Sequence, residues 1–281
     1  MDATSPPPAR RPTIALLTDF GLQDHYVGVM KAVIADGCPD ATVIDITHEV
    51  PPQDVATAAY ELAAAAPYFP AGTVFLAVVD PGVGTDRPSI AAQVGAHRFV
   101  GPDNGVFDLV FQRESPILVV ELGQAHASRA QSRTFEGRDR FAPAAAWLAQ
   151  GRPLESLGRR TSAALRREWP KARASTIGVD GEVVHVDRFG NLITNIERGD
   201  LAPLGPLSRV SVGSHGQVPL VGTYGEGRVG ELVALLNSAD RLEIAVVSGH
   251  AARRLGAGRG ALVRVCGVRD TMPGPIEDPF E

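Results

Sequence analysis

Hydrophobic residues in the first half of the sequence form continuous runs instead of alternating with polar residues. The runs cover residues 13–17, 41–46, 74–79 and 117–120. Strands that are covered on both faces of a sheet have this pattern, because neither face meets water. Stretches with helical spacing lie between the runs, at residues 26–35, 54–66 and 142–149. This alternation of strands and helices predicts an N-terminal α/β domain with a mostly parallel sheet.

The second half of the sequence has a different hydrophobic pattern. Short runs with a period of two follow one another at 182–186, 192–196, 207–212, 230–236, 241–247 and 261–266, with glycine-rich turns between them. This pattern predicts a small C-terminal antiparallel β-barrel. We therefore expect an α/β domain over residues 13–174 and a barrel domain over residues 175–268. We expect the proline-containing ends, 1–12 and 269–281, to be flexible tails.

Composition narrows the classes of partner. The 281 residues include 27 lysines and arginines and 32 aspartates and glutamates, which gives a net charge of −5. This balance argues against binding to nucleic acid or to an anionic membrane, so small molecules are the expected ligands. No apolar run is long enough to span a bilayer. The two cysteines, Cys38 and Cys266, lie far apart and without a zinc-binding spacing, which predicts free thiols, a cytoplasmic protein and no metal or cofactor.

Two predicted strands of the α/β domain end in an aspartate. Asp19 follows the first run and Asp80 follows the third. Ligands of open α/β sheets collect at the carboxyl ends of the strands, so both carboxylates are expected to face one crevice. A carboxylate accepts two hydrogen bonds at once, which suits the vicinal diol of a ribose. The alternative for Asp19 is that it caps the following helix.

Three further groups of polar residues are candidates for chemistry. Arg87 lies seven residues after Asp80, within reach of an ion pair that either serves a site or simply braces the loop. The segment 132–143 carries five charged residues, among which Asp139 is a candidate cap for the next helix. Segment 186–191 places an acid, an aromatic ring and an amide within five positions, which suits an ammonium group and a stacked base. A β-turn with an Asx hydrogen bond explains the same segment.

Six segments occur in the order in which one enzyme family has them. They are LLTDFGLQDHYVGVMK (16–31), VVDPGVGTDR (78–87), VGPDNGVF (100–107), SRTFEGRDRFAP (132–143), VDRFGNLITNI (186–196) and LNSADRLEIAV (236–246). Together they resemble the S-adenosyl-L-methionine (SAM) hydroxide adenosyltransferases, or adenosine-forming SAM hydrolases, which are related to fluorinating and chlorinating enzymes. The similarity extends from about residue 13 to about residue 265.

The resemblance implies an activity and an assembly. Enzymes of this family hydrolyse SAM to adenosine and L-methionine by attack of water on the ribose 5′ carbon, without a cofactor. It implies a homotrimer whose active sites lie between the first domain of one subunit and the second domain of a neighbour. It also implies roles for substrate-binding residues: the ribose diol for Asp19, the methionine ammonium for Asp24 and Asp187, the methionine carboxylate for Ser238, and the adenine for Phe189, Asn191 and the backbone from Val246 to Ser248.

The catalytic positions depart from the family at one point. Asp80 and Arg87 match the first two members of an Asp–Arg–His triad that holds the water in the hydrolases. Glu136 stands where the third member is expected, because TFEGRD replaces TFHGRD. Either Glu136 accepts the proton in a coupled set with Asp80 and Arg87, or His126 takes the histidine's place, or the chain binds SAM without turning it over. A halide-using transferase is disfavoured, because the fluorinating enzymes carry a tyrosine at the position of Asp80.

Overall fold

The computed structural model describes residues 11–123, 132–162, 164, 168–175, 178–204 and 207–267. Apart from residues 11 and 12, the two predicted tails lie outside the described residues. The chain divides into two compact units, residues 1–167 and residues 168–281. Within the described residues, no helix is both long enough and apolar enough to cross a membrane.

The first unit is built on one seven-stranded mixed sheet. Its strands are β1 (Thr13–Thr18), β2 (Thr42–Thr47), β3 (Val74–Val78), β4 (Ser89–Val94), β5 (His97–Pro102), β6 (Leu118–Leu122) and β7 (Gly158–Arg160). Their order across the sheet is β2-β1-β3-β5-β4-β6-β7. The β2, β1, β3, β5 and β6 strands run in one direction, and β4 and β7 run against them. The prediction of a mostly parallel sheet is confirmed.

Helices cover both faces of this sheet. They are α1 (Tyr26–Gly37), α2 (Val55–Ala65), α3 (Asp108–Arg113) and α4 (Ala142–Ala149), with a π-helical turn at Gly137–Phe141 and short 3₁₀ turns at Ala66–Tyr68 and Leu154–Leu157. Ala15 and Leu17 of β1 pack in the core with α2 and α3, whereas Ile14 and Leu16 pack in the core with α1 and α4. The continuous apolar run of β1 follows from this double coverage.

The edge strand β2 departs from the sequence prediction. The run at 41–46 indicates a strand with two covered faces, but most of β2 is exposed or half-buried, and Ile44 is 40% exposed. The reason is its position, because β2 pairs with β1 along one side and ends the sheet on the other. The β2 run therefore overstates the burial of this strand.

The second unit is a nearly closed barrel of antiparallel strands, which confirms the predicted class. The strands are β8 (Arg173–Ala174), β9 (Gly178–Val186), β10 (Leu192–Glu197), β11 (Leu207–Val212), β12 (His215–Val218), β13 (Leu232–Leu236), β14 (Arg241–Val246) and β15 (Leu262–Gly267). They follow the order β12-β11-β15-β9-β10-β14-β13, and β8 pairs with β9. A bridge between Leu220 and Ala234 joins the two ends of this order.

Short helices and an apolar interior complete the second unit. The helices are α5 (Arg198–Leu201) and α6 (Ala251–Leu255), and 3₁₀ turns lie at Ala202–Leu204 and Tyr224–Glu226. Apolar side chains from most of these strands fill the interior, including Val183, Leu192, Ile244 and Val263. The alternation expected of strands is incomplete, because the polar side chains of Thr194 and Glu243 are also buried.

Candidate active site

The two predicted strand-end carboxylates leave the same edge of the sheet. Strands β1 and β3 are adjacent and parallel, and Thr18 of β1 is opposite Val78 of β3. Asp19 follows Thr18 directly, and Asp80 comes two residues after Val78. The carboxyl ends of parallel strands therefore bring Asp19 and Asp80 to neighbouring chain segments, as the sequence predicts.

Asp80, Arg87 and Glu136 form one hydrogen-bonded cluster. Arg87 Nε donates to Asp80 Oδ1 at 2.8 Å, and Arg87 Nη2 donates to Asp80 Oδ2. The same Nη2 donates to Glu136 Oε2 at 2.5 Å. The side chains of Asp80, Arg87 and Glu136 are 5%, 11% and 16% exposed. One guanidinium thus holds two carboxylates that are 56 residues apart in the sequence, in a setting with little water.

Ser89 and Arg140 complete the cluster, and the sequence analysis does not include either of them. Ser89 Oγ accepts a hydrogen bond from Arg87 Nη1 at 2.9 Å and donates to Glu136 Oε2 at 3.1 Å. Arg140 Nη1 lies 3.7 Å from Glu136 Oε1 and donates to Ser89 Oγ at 3.2 Å. Two guanidinium groups therefore face two carboxylates, so the formal charges of the cluster balance.

Burial and charge act in opposite directions on Arg87. Burial alone lowers its pKa, because the charged guanidinium loses water. The hydrogen bonds and charges of Asp80 and Glu136 outweigh this effect and raise the pKa of Arg87 above its usual value. Arg87 therefore stays charged and keeps both carboxylates oriented.

Local sequence explains how the cluster is assembled. The loop after β3 turns at Gly84, which has φ +80°, and a Cβ there would lie 2.8 Å from the carbonyl oxygen of Arg133. The backbone N–H of Gly82 donates to Asp80 Oδ1 at 3.2 Å. Glu136 directly precedes the π-helical turn, and such turns are frequent at functional sites. Asp139 does not cap the helix; it accepts the Ser132 N–H at 2.7 Å and pairs with Arg138.

A polar cavity of about 440 Å³ borders the cluster. Arg87, Ser89, Glu136 and Arg140 line one part of it, and the remaining wall includes Gly84, Thr85, Asp86, Pro88, Glu121, Ser132, Arg133 and Asp139. Glu136 therefore faces both the Asp80–Arg87 pair and a space large enough for several water molecules.

Asp19 belongs to a turn rather than to a helix cap. Its Oδ2 accepts the backbone N–H of Gln53 at 2.7 Å, and the residue before α1 makes no side-chain capping bond. Asp24, which lies in the same connection, is exposed. Between these residues, Phe20 packs against Tyr26 with ring centroids 5.6 Å apart, and both rings contact Phe135. The aromatic cluster fixes the segment that links the two aspartates to Glu136.

In the second unit, Asp187, Phe189 and Asn191 lie in the turn between β9 and β10. Asp187 Oδ1 accepts the Asn191 N–H at 2.8 Å, and Oδ2 accepts from Asn191 Nδ2 at 2.9 Å. The Gly190 N–H also donates to the carbonyl oxygen of Asp187 at 2.9 Å, so the β-turn with an Asx hydrogen bond that the sequence offers as an alternative is present. Phe189 is at the tip of the turn and is 73% exposed. Gly190 has φ +84°, and a Cβ there would lie 2.0 Å from His250 Nδ1.

The β13–β14 hairpin carries the remaining predicted residues at its two ends. Ser238 is exposed in the connecting turn, whereas Val246 ends β14 and Ser248 follows it. A strand rises about 3.3 Å per residue, so the two ends of β14 are roughly 17 Å apart. Leu192, which follows the Asp187–Asn191 turn, is opposite Ile244 of β14. The structure therefore groups Asp187, Asn191 and Val246 near one end of β14. Ser238 lies in the turn at the other end, next to Asn237, whose side chain bonds to Glu243 within reach of the charge of Asp187.

Comparison with known proteins identifies the family. Residues 14–158 match the SAM hydroxide adenosyltransferase N-terminal domain, and residues 181–264 match the C-terminal domain of the same family. The chain belongs to the SAM hydroxide adenosyltransferase family. The (R)-S-adenosyl-L-methionine hydrolase of Thermus thermophilus is 45% identical over 90% of this chain and 98% of its own. The fluorinase of Nocardia brasiliensis is 30% identical over 84% and 90% of the two chains.

A solved structure supports the fold of this SAM hydroxide adenosyltransferase. An uncharacterized conserved protein from Thermotoga maritima superposes with a TM-score of 0.85 at 40% sequence identity, over 90% of this chain and 99% of the other. In the described part of the chain, no three His, Cys, Asp or Glu side chains gather in a way that could hold a metal ion. His126 lies outside the described residues.

This family member also has a buried carboxyl that the sequence analysis missed. Glu243 of β14 is 3% exposed and accepts a hydrogen bond from the hydroxyl of Tyr224. Burial raises its pKa more than the hydrogen bonds from Tyr224 and Asn237 lower it. Glu243 occupies the stretch of β14 between the group at Asp187 and the turn at Ser238. The signal in the sequence is weak, because Glu243 is the polar residue expected between two core residues of a strand.

Proposed function

We propose that this protein hydrolyses SAM, in its (R)-sulfonium form, to adenosine and L-methionine. The observation that carries the proposal is the buried cluster of Asp80, Arg87 and Glu136 at the sheet edge from which Asp19 also leaves. The names of the Thermus thermophilus relative and of relatives from two Salinispora species, which are 40–45% identical, support the same reaction.

In the proposed reaction, a water molecule held by Asp80 attacks the ribose 5′ carbon. The new bond joins the water oxygen to this carbon while the bond from the carbon to sulfur breaks. The electron pair stays on sulfur, so methionine leaves as a neutral thioether and needs no acid. Alignment and removal of bulk water therefore supply most of the rate enhancement, and Arg87 provides alignment by fixing both oxygens of Asp80.

The proton of the attacking water passes to Glu136 and then to solvent. Glu136 is linked to Asp80 through Arg87, so it is close enough to act on water held there. The polar cavity beside Glu136 supplies the water through which the proton leaves. In this proposal Glu136 performs the task that a histidine performs in the family motif, as a general base.

The remaining predicted residues hold the substrate. We assign the ribose diol to Asp19, because one of its oxygens is fixed by Gln53 while the residue stays partly exposed. The exposed ring of Phe189 supplies a stacking face for adenine. The other assignments follow the family resemblance: adenine edges for Asn191 and the backbone from Val246 to Ser248, the ammonium for Asp24 and Asp187, and the carboxylate for Ser238.

Labelled water tests the proposal. Purified protein is incubated with SAM in water enriched in ¹⁸O, and the products are separated and weighed by mass spectrometry. We expect adenosine and methionine in equal amounts, with the label in adenosine alone. Label in methionine, or tight binding of SAM without products, contradicts the proposed reaction. The same incubation with added chloride tests the halide-using alternative. We expect no 5′-chlorinated nucleoside, because the negative charge of Asp80 repels a chloride ion at the position of the nucleophile.

We further infer that the active form is a cytoplasmic homotrimer with sites shared between subunits. The family resemblance supports this assembly, and the free thiols of Cys38 and Cys266 fit a reducing compartment. Mixing two inactive variants, Asp80→Asn and Asn191→Ala, tests the sharing of sites. If subunits exchange, random assembly restores about one quarter of the sites; sites built within one subunit stay inactive in every mixture. Sedimentation measures the number of subunits.

A further inference from the structure

A buried hydrogen bond connects two segments on either side of Asp19. Thr18, the last residue of β1, and His48, the residue after β2, are both buried. Thr18 Oγ1 lies 2.8 Å from His48 Nδ1. These residues are 30 positions apart in sequence, so the bond ties the end of β1 to the loop that follows β2.

The surrounding bonds assign the roles of donor and acceptor. The backbone N–H of Phe20 donates to Thr18 Oγ1 at 3.3 Å, which leaves the hydroxyl proton and one lone pair of Thr18 for His48 Nδ1. In the neutral ring that carries its proton on Nε2, the Nδ1 atom accepts from Thr18. Nε2 is 3.1 Å from Asp45 Oδ1, although it is out of line for a hydrogen bond.

Asp45 fixes the far side of the imidazole. Lys31 Nζ of α1 donates to Asp45 Oδ2 at 2.6 Å. Burial alone raises the pKa of Asp45, but Lys31 and His48 outweigh it and lower the pKa below its usual value. Asp45 therefore stays ionised opposite the Nε2–H, which favours the tautomer whose Nδ1 accepts from Thr18.

The loop after β2 also holds the Asp19 turn through two of its backbone groups. The Gly21 N–H donates to the carbonyl oxygen of His48 at 2.8 Å, and the Gln53 N–H donates to Asp19 Oδ2 at 2.7 Å. Gln53 has φ +67°, a conformation that L-residues rarely adopt. The turn from Thr18 to Gly21 is thus held by bonds before, at and after Asp19, and two of the three involve His48.

We propose that His48 is a positioning residue for SAM binding, acting through Thr18 to aim the carboxylate of Asp19 at the ribose diol. This inference rests on the proposed function of Asp19. His48 itself is buried and contacts no substrate. Its imidazole orders the hydroxyl of Thr18, which in turn holds the Phe20 amide and the start of the turn.

Steady-state kinetics of His48→Ala, Thr18→Val and His48→Asn test the inference. We expect His48→Ala and Thr18→Val to raise KM for SAM about tenfold, with kcat changed less than about twofold. Both variants lose the buried bond between Thr18 and His48, and Thr18→Val also loses the bond from the Phe20 N–H. His48→Asn keeps an acceptor near the position of Nδ1 and is expected to recover most of the lost affinity. His97→Ala is the matched control, since His97 begins β5 and so lies at the amino ends of the parallel strands, whereas Asp19 follows the carboxyl end of β1.

A double-variant cycle with Asp19→Asn separates positioning from general destabilisation. If His48 acts through Asp19, adding His48→Ala to Asp19→Asn raises KM no further. Equal effects of His48→Ala in both backgrounds, or an unchanged KM in folded His48→Ala and Thr18→Val, overturn the inference. The same cycle of variants is then repeated without turnover, by measuring the affinity for adenosine calorimetrically. If the wild type releases no adenosine, the proposed function fails, and the calorimetric cycle still decides the role of His48.

Discussion

At the scale of single residues, Glu136 decides how this chain differs from the histidine-containing members of its family. It shares Nη2 of Arg87 with Asp80 and accepts from Ser89. The carboxylate of Glu136 also faces a second cation, because Arg140 Nη1 lies 3.7 Å from Glu136 Oε1. The charge of the carboxylate that stands in the histidine's place is therefore balanced within the cluster itself.

Removing the proton acceptor is expected to slow the chemical step. Glu136→Gln keeps the shape of the side chain but not its basicity, so we predict a fall in kcat of about a hundredfold with little change in KM. Adenosine release under saturating SAM measures the effect. Asp86→Asn is the matched control, because Asp86 is an exposed acid that lines the same cavity but belongs to the loop after β3. If Glu136→Gln has the kcat of the wild type, a group other than Glu136 accepts the proton of the attacking water.

The sequence predicts part of this cluster and misses part of it. Asp80 and Arg87 are seven residues apart on one loop, so their pairing follows from local spacing. Glu136 enters only through the family motif, since nothing local brings residue 136 to residue 87. Ser89 and Arg140 were missed because their contacts depend on tertiary packing, although Arg140 lies one helical turn after Glu136 and the (i, i+4) spacing is a usable signal.

At the scale of elements, the β9–β10 turn shows that one short segment can close a turn and present an exposed aromatic ring at the same time. Asp187 and Asn191 close the turn by hydrogen bonds, and the same turn projects Phe189 into solvent. From the sequence alone, a β-turn with an Asx hydrogen bond and a binding role are alternatives for this segment. They are compatible, because the turn orients the ring that is proposed to stack on adenine.

Gly190→Ala is expected to distort this turn. The position has φ +84°, and the added methyl group would overlap the imidazole of His250. We predict a loss of about 2–3 kcal/mol in the free energy of unfolding and weaker adenosine binding. Gly213→Ala is the matched control: it has φ +54° in another turn of the barrel, with no atom within 4 Å of the added group. We expect it to lose only about 1 kcal/mol. Equal losses in denaturant titrations would show that His250 moves aside freely.

Hydrophobic patterning predicts most elements but not their exposure or their polar exceptions. The helix at Ala142–Ala149 and most of the predicted strands match their predicted ranges to within two residues, but β9 begins at Gly178, four residues before the predicted run at 182–186. The hairpin of β4 and β5 was missed, because no long apolar run marks it. The π-helical turn was also missed, since no hydrophobic period marks it; a Cβ on its first residue, Gly137, would lie only 3.1 Å from Met30 Sδ and 3.2 Å from Phe135 Cε2.

At the scale of the whole molecule, each unit has its own core, and the barrel buries a carboxyl group beside its apolar interior. The pKa of Glu243 is raised, chiefly by burial. Ionisation of this carboxyl is therefore harder in the folded protein than in the unfolded chain. Its contribution to stability is largest at pH values below its ordinary pKa, and it declines as the pH rises towards the raised value.

Comparison with Glu243→Gln measures this effect on stability. The glutamine does not ionise, so we predict that the free energy of unfolding of the wild type, relative to the variant, falls between pH 4 and pH 8. Urea titrations at several pH values give the difference. A difference that stays constant across this range means that Glu243 ionises as easily in the folded protein as in the unfolded chain.

The balance of two guanidinium groups and two carboxylates around Ser89 has a consequence for ionic strength. Dissolved ions screen charges that face water across many ångströms, but they act little on opposite charges that touch and cancel. We expect kcat to be nearly independent of the sodium chloride concentration between about 0.05 and about 0.5 M. Asp24 is exposed, and if it binds the positively charged substrate as proposed, KM is expected to rise with salt.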